Sequence, residues 1–146
     1  MVAALTGFEP FVIGPDLATP FAQAHDLLTT RHQTWLLDPA ARRWRLDVLR
    51  EPSDGDTWIC RRDGRIRLPY EEVIARTGGG IPYARPEIVL LFKGKDSRPK
   101  DDEDFADVLP RLHTERRYWL ADALELVHPG HRWLAELNPR RESHAL

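Results

Sequence analysis

Two spacings of apolar residues divide the chain near residue 68. Ahead of that point the apolar runs are short and broken by Pro, Gly and Asp, a pattern that predicts strands and hairpins. Residues 7–13 (GFEPFVI) read as a short edge strand, because the internal Pro10 cannot donate to a sheet ladder. Gly14-Pro15-Asp16 ends it. Thr19-Pro20 predicts the start of a short helix through Leu28, with Phe21, Ala24, Leu27 and Leu28 at helical spacing. Residues 32–38 and 44–51 predict a strand pair joined by 39–43. By the period of two, Trp44, Leu46 and Val48 share one face of the second strand, and Arg45, Asp47 and Leu49 the other. A further hairpin is expected over 57–62 and 65–68, turning at Asp63-Gly64.

Behind residue 68 the spacing becomes helical. Pro69 opens a short helix over 69–77, and Gly78 fits the position past its end. Gly78-Gly79-Gly80 reads as a hinge or turn. Pro86 suits the first turn of the next helix, and Glu87 complements its dipole. Residues 88–92 are apolar all round, which predicts burial on more than one side. Lys93 and Lys95 emerge at that helix's end. There they either satisfy its last carbonyls or line a site at the edge of the core. A second helix starts near Pro99-Lys100, with Asp101, Asp102, Glu103 and Asp104 loading its first turn and Phe105, Val108, Leu109 and Leu112 forming its apolar stripe. Pro110 ends or kinks it. Thr114 is expected to cap a third helix over 115–127, which His128-Pro129-Gly130-His131 stops. A short helix over 133–137 follows. The whole predicts an α+β fold: a single domain over 1–146, with a small mixed or antiparallel sheet over 1–68 packed by helices over 69–146.

Composition narrows the function classes. A net charge of −2 disfavours general nucleic-acid binding, which needs a basic surplus. The single Cys60 excludes an internal disulfide and reads as an inert, half-buried thiol. No apolar run reaches membrane-spanning length, and the start MVAALTGFEP lacks a basic leader region, so a cytoplasmic protein is expected. Asp54 and Asp56 flank Gly55 in a turn that lacks the rest of a calcium loop. The three glycines lack the Gly-Lys-Ser/Thr of a phosphate loop. Arg61, Arg62, Arg65 and Arg67 form a basic cluster, either solvated or in contact with an anionic substrate. His128 and His131 imply no third metal ligand by spacing. Asp47, mid-strand among apolar neighbours, requires either a wet face or a bound cation.

The run RPEIVLLFKGKDSRPKDDEDFADVLPRL, followed by WLADALELVHPGHRWL, resembles small bacterial nucleotidyltransferases related to the aminoglycoside-modifying enzymes, of the DNA polymerase β-type superfamily. The linked set Arg98, Lys100, Asp101 and Asp104 behind Lys93 carries the resemblance, which extends over the chain from about His32. It implies transfer of a nucleotidyl group from a nucleoside triphosphate, expected to be ATP, to a small hydroxylated acceptor such as an aminoglycoside, assisted by magnesium. Asp47 corresponds to a metal-binding catalytic carboxylate. Lys93, with Lys95 and Lys100, corresponds to the cations facing the triphosphate, and Asp101 and Asp104 orient that lysine or the acceptor. The family's Gly-Gly or Gly-Ser turn and Asp-x-Asp strand do not precede Asp47, and the Asp-x-Asp that is present, Asp54-Gly55-Asp56, lies in a turn. The resemblance therefore implies a truncated fold with an incomplete active site and an exposed sheet edge. Its alternatives are an inactive relic that binds a nucleotide or a protein, and a toxin–antitoxin-type component acting on RNA.

Overall fold

The computed structural model describes residues 6–137, which form an α+β fold of antiparallel sheets and several helices. No helix among the described residues is long and apolar enough to cross a membrane. The chain makes two compact units, Met1–Glu51 and Pro52–Leu146.

The first unit is a four-stranded antiparallel sheet of β1 (Glu9–Ile13), β2 (Ala18–Pro20), β3 (Gln33–Asp38) and β4 (Arg43–Leu49), in the order β2-β1-β3-β4. The predicted hairpin of β3 and β4 is present. Its loop is tied by the Ala41 amide donating to Asp38 Oδ1 at 3.0 Å and turns through Arg42 at φ 49°. β1, expected at an edge, is interior. Pro10 is tolerated because β2 pairs only with residues 11–13, so the missing N–H lies beyond the end of that ladder. The helix expected after Thr19 is instead strand β2 followed by two 3-10 turns, Phe21–Gln23 and His25–Leu27. Pairing of Ala18–Pro20 with β1 holds Pro20 extended, at ψ 134°, and the segment left over is too short for a stable α-helix.

One irregularity in this sheet decides where Asp47 points. Leu36 pairs with Leu46, but Leu37 pairs with Trp44, leaving Arg45 as the extra residue of a β-bulge. Side-chain alternation is reset there. Asp47 lies opposite Trp35 and Trp44 opposite Leu37, so the two share a face rather than taking opposite ones. That face also carries Phe11, whose ring meets Trp44 edge-on at 5.4 Å, and Trp35, which meets it at 5.5 Å. The other face buries Val12, Thr34 and Leu36.

The second unit begins with β5 (Ser53–Asp54), β6 (Thr57–Ile59) and β7 (Arg67–Pro69), a three-stranded antiparallel sheet. The hairpin expected at Asp63-Gly64 joins β6 to β7. The helix expected over 69–77 shrinks to one turn, α1 (Tyr70–Val73), and the chain then enters β8 (Ile74–Arg76), which pairs with β9 (Pro82–Ala84). The hairpin wins because the glycines supply a tight turn: the Thr77 amide donates to the Ile81 carbonyl at 2.9 Å, and Gly80 takes φ 81°. Strands thus extend into the part expected to be helical. The helices are α2 (Pro86–Lys93), α3 (Pro99–Val108), α4 (Thr114–Val127) and α5 (Leu134–Leu137).

These elements close on one apolar cluster. It includes Trp58, Cys60, Ile88, Leu90, Leu91, Phe105, Leu120, Leu124, Trp133 and Leu137, all buried. Cys60 is fully rather than half buried. α2 is the central helix of the cluster, as its apolar run predicts, although Val89 faces out. Fully burying side chains such as Leu90 and Leu91 stabilises a fold by about 1.5–3 kcal/mol each. Gly94, just past α2, permits the close approach to α4: a Cβ there would lie 2.8 Å from Leu124 Cδ2.

Candidate functional site

The charged corner begins where α2 runs out of apolar residues. Lys93 is its last residue, and the 3-10 turn Gly94–Asp96 carries the chain to Arg98, the residue before α3. Asp101 sits in the first turn of α3, where its carboxylate accepts the Arg98 amide at 3.1 Å and so satisfies one of the helix's orphan donors. The same carboxylate accepts Lys93 Nζ at 2.8 Å and Arg98 Nε at 2.9 Å. Asp104, one turn along, also accepts Lys93 Nζ. The predicted group Lys93, Asp101 and Asp104 is thereby brought together.

The electrostatics follow from this geometry. The Arg98 guanidinium, then Lys93 and the Arg98 amide, hold the buried Asp101 carboxyl well below the usual carboxylate range. The hydrogen bonds to Asp101 and Asp104 raise the Lys93 ammonium above its ordinary value. The Lys93 side chain remains 25% exposed. An ammonium has three donors, and two are engaged by the carboxylates, so one is left for a further acceptor. Lys95 and Lys100 are exposed.

A second carboxylate of α3 serves packing. Asp102 accepts both the Arg132 guanidinium, at 2.6 Å, and Trp133 Nε1, at 2.7 Å, while Trp133 stacks on Phe105 at 4.5 Å. Of the arginines read as a basic cluster, Arg65 pairs with Asp63 at 2.6 Å, which lowers the Asp63 carboxyl to about 2, and Arg67 donates to the Gly64 carbonyl. Arg62 turns inward and donates to the last carbonyls of α2, Leu91 at 3.2 Å and Phe92 at 2.7 Å. The cation that satisfies the end of α2 is therefore Arg62, not Lys93.

Asp47 belongs to the other unit. It is exposed on β4 and accepts Gln33 Nε2 at 2.9 Å. Its face is open, so the carboxylate there carries no burial cost. The implied magnesium can be tested against these donors. Asp101 and Asp104 are engaged by Lys93 and Arg98, and among the described residues no three His, Cys, Asp or Glu side chains converge. The donor set does not fit a magnesium centre.

Sequence reasoning missed three further polar contacts of this unit. Glu87, in the first turn of α2, is 2% exposed and lies 3.3 Å from Arg116 Nη1 of α4. Ser97 Oγ lies 3.1 Å from His131 Nε2, and Arg62 Nη1 lies 3.1 Å from His128 Nε2. The polar residues concerned are separated by about 30 positions or more, beyond any local spacing rule; only the HPGH stop beside Trp133 hinted that the histidines face inward. Comparison with protein-family models, with curated proteins and with solved structures finds no match to this chain.

Proposed function

We propose that the second unit carries the nucleotide-facing half of a nucleotidyltransferase-like site, with the triphosphate, ATP by preference, approaching Lys93. The observation that supports this reading is the lysine held between Asp101 and Asp104 with its side chain still 25% exposed. A cation fixed in this way meets a phosphate oxygen without first losing the rotamer freedom of a free lysine. Lys95 and Lys100, both exposed, add positive charge to the same stretch of chain. In this reading Asp101 orients Lys93, and Asp104 orients Lys93 or a hydroxyl of a small acceptor.

A second reading is a module that binds a nucleotide without transferring it. It is favoured by the pairing of the corner's carboxylates with cations, which leaves them unsuited to metal-assisted chemistry.

Calorimetric titration of the full chain with ATP tests the shared element. Binding is expected to be weak, with Kd on the order of 0.1–1 mM, and Lys93→Met should weaken it about tenfold, the worth of one charge-assisted hydrogen bond. An unchanged Kd in Lys93→Met contradicts both readings. Tight binding that requires magnesium contradicts the account of Asp101 and Asp104 as spent on cations.

A further inference from the structure

Two histidines meet at the joint between the end of α2 and the end of α4. His128 is the residue that caps α4, and its amide donates to the Leu124 carbonyl at 2.7 Å. Its Nε2 lies 3.1 Å from Arg62 Nη1, and Arg62 also binds the Leu91 and Phe92 carbonyls of α2. A guanidinium only donates, so His128 Nε2 must carry a lone pair and the ring proton must sit on Nδ1. His131 has the opposite arrangement. Its Nδ1 accepts the Trp133 amide at 3.2 Å, so in the neutral ring Nε2 bears the proton that faces Ser97 Oγ at 3.1 Å. This tautomer also rules out Ser97 and His131 as a nucleophile–base pair, because Nε2 has no lone pair with which to take the hydroxyl proton.

We propose that His128 and His131 form an acid-sensitive latch, closed when both rings are neutral, that holds the end of α2 against Arg62 and the 128–133 turn and releases it on protonation. Both acceptor nitrogens face donors that cannot give up their protons, a guanidinium and a backbone amide. Protonating either ring removes the acceptor and turns an attraction into a clash.

The surroundings act in the same direction. Burial leads in pushing the His128 imidazole below its ordinary value, and around it the cations Arg62 and Lys95 act in the same direction against the anion Asp96. Around His131 stand Arg132 and His128 against Asp102 and the Gly94 carbonyl, and burial again leads the lowering. The rings are close neighbours, with centroids 6.4 Å apart, so charging one opposes charging the other. Both groups are depressed on folding, so their stabilisation is complete above about pH 6.5, the unfolded value, and is lost as pH falls through their folded values. The strongly paired carboxylates Asp63 and Asp101 titrate at much lower pH, which separates their acid loss from that of the latch.

The latch is tested by urea unfolding from pH 7.5 to 5 together with the double variant His128→Gln/His131→Asn, which keeps an acceptor near each native position and cannot titrate. The wild-type folding constant should fall below about pH 6.5 by up to a hundredfold per pH unit, the limit for two protons, while the variant stays nearly flat. Equal slopes in the two proteins, or a flat wild type, overturn the proposal. Imidazole nitrogen NMR of the wild type provides a readout independent of any variant. His128 should be the Nδ1–H tautomer and His131 the Nε2–H tautomer, both titrating below about 6.5. The reverse tautomers, or titration at or above that value, overturn it.

Discussion

The two units hold their charged residues differently, although the first also contains an ion pair, Arg45 with Asp38 at 3.1 Å. In the second, the charges surround a closed apolar cluster and are locked to one another: Lys93 to Asp101 and Asp104, Arg98 to Asp101, Arg132 to Asp102, Arg116 to Glu87. In the first, the strand that carries Asp47 is exposed on both faces, with Trp44, Leu46 and Leu49 each more than 40% exposed. A charged side chain has a defined position only where packing fixes its backbone and its partners. The second unit therefore has a defined corner, whereas Asp47, on an exposed strand, accepts Gln33 Nε2.

The contrast can be broken most forcefully in the cores. Leu91→Ala or Leu124→Ala, at fully buried positions, should cost about 2–5 kcal/mol, read by urea denaturation. Leu46→Ala, on the exposed strand, should cost well under 1 kcal/mol. Equal costs would mean that β4 is covered as fully as α2. The next largest effect is expected at Gly94. Alanine there must displace Leu124, so Gly94→Ala should lose about 1–3 kcal/mol, while Gly79→Ala, whose added carbon meets nothing closer than 3.8 Å, should stay near neutral.

Within the corner, Asp101→Asn should lower the urea midpoint by more than Asp104→Asn, because Asp101 holds Lys93, Arg98 and the start of α3, whereas Asp104 holds Lys93 alone. Asp101 is depressed on folding, so its contribution is present above about pH 4, the unfolded carboxylate value, and fades as pH falls further; Asp101→Asn should flatten the acid arm of the stability profile in that range. The smallest effect belongs to Asp47→Asn, which should change stability by no more than about 0.5 kcal/mol.

Which parts of this were legible beforehand follows from the range of the forces involved. The β3–β4 hairpin, the turn at Asp63-Gly64 and helices α2, α3 and α4 are set by local signals: alternation, turn residues, a proline at the helix start and an apolar stripe. Local spacing put Asp101 and Asp104 on one face of α3, and the resemblance implied that they orient Lys93, which lies eleven or fewer positions away. The errors occur where pairing between strands overrode local propensity, as in β2 and in the β8–β9 hairpin. The face of Asp47 was misread because a bulge at Arg45 shifts the register by one residue, and nothing in the alternation of Trp44, Leu46 and Val48 marks it. Arg62, His128 and Glu87 were unreadable because their partners lie 29 or more residues away.

The central claim is that the defined charged corner, and not the exposed strand, receives an anionic ligand. The most direct measurement is a backbone amide NMR titration of the full chain with ATP. The account predicts that shifts concentrate at residues 93–104 and vanish in Lys93→Met, with Asp47 and its neighbours on β4 unmoved. Shifts centred on β4, or a pattern at 93–104 that survives Lys93→Met, would contradict it.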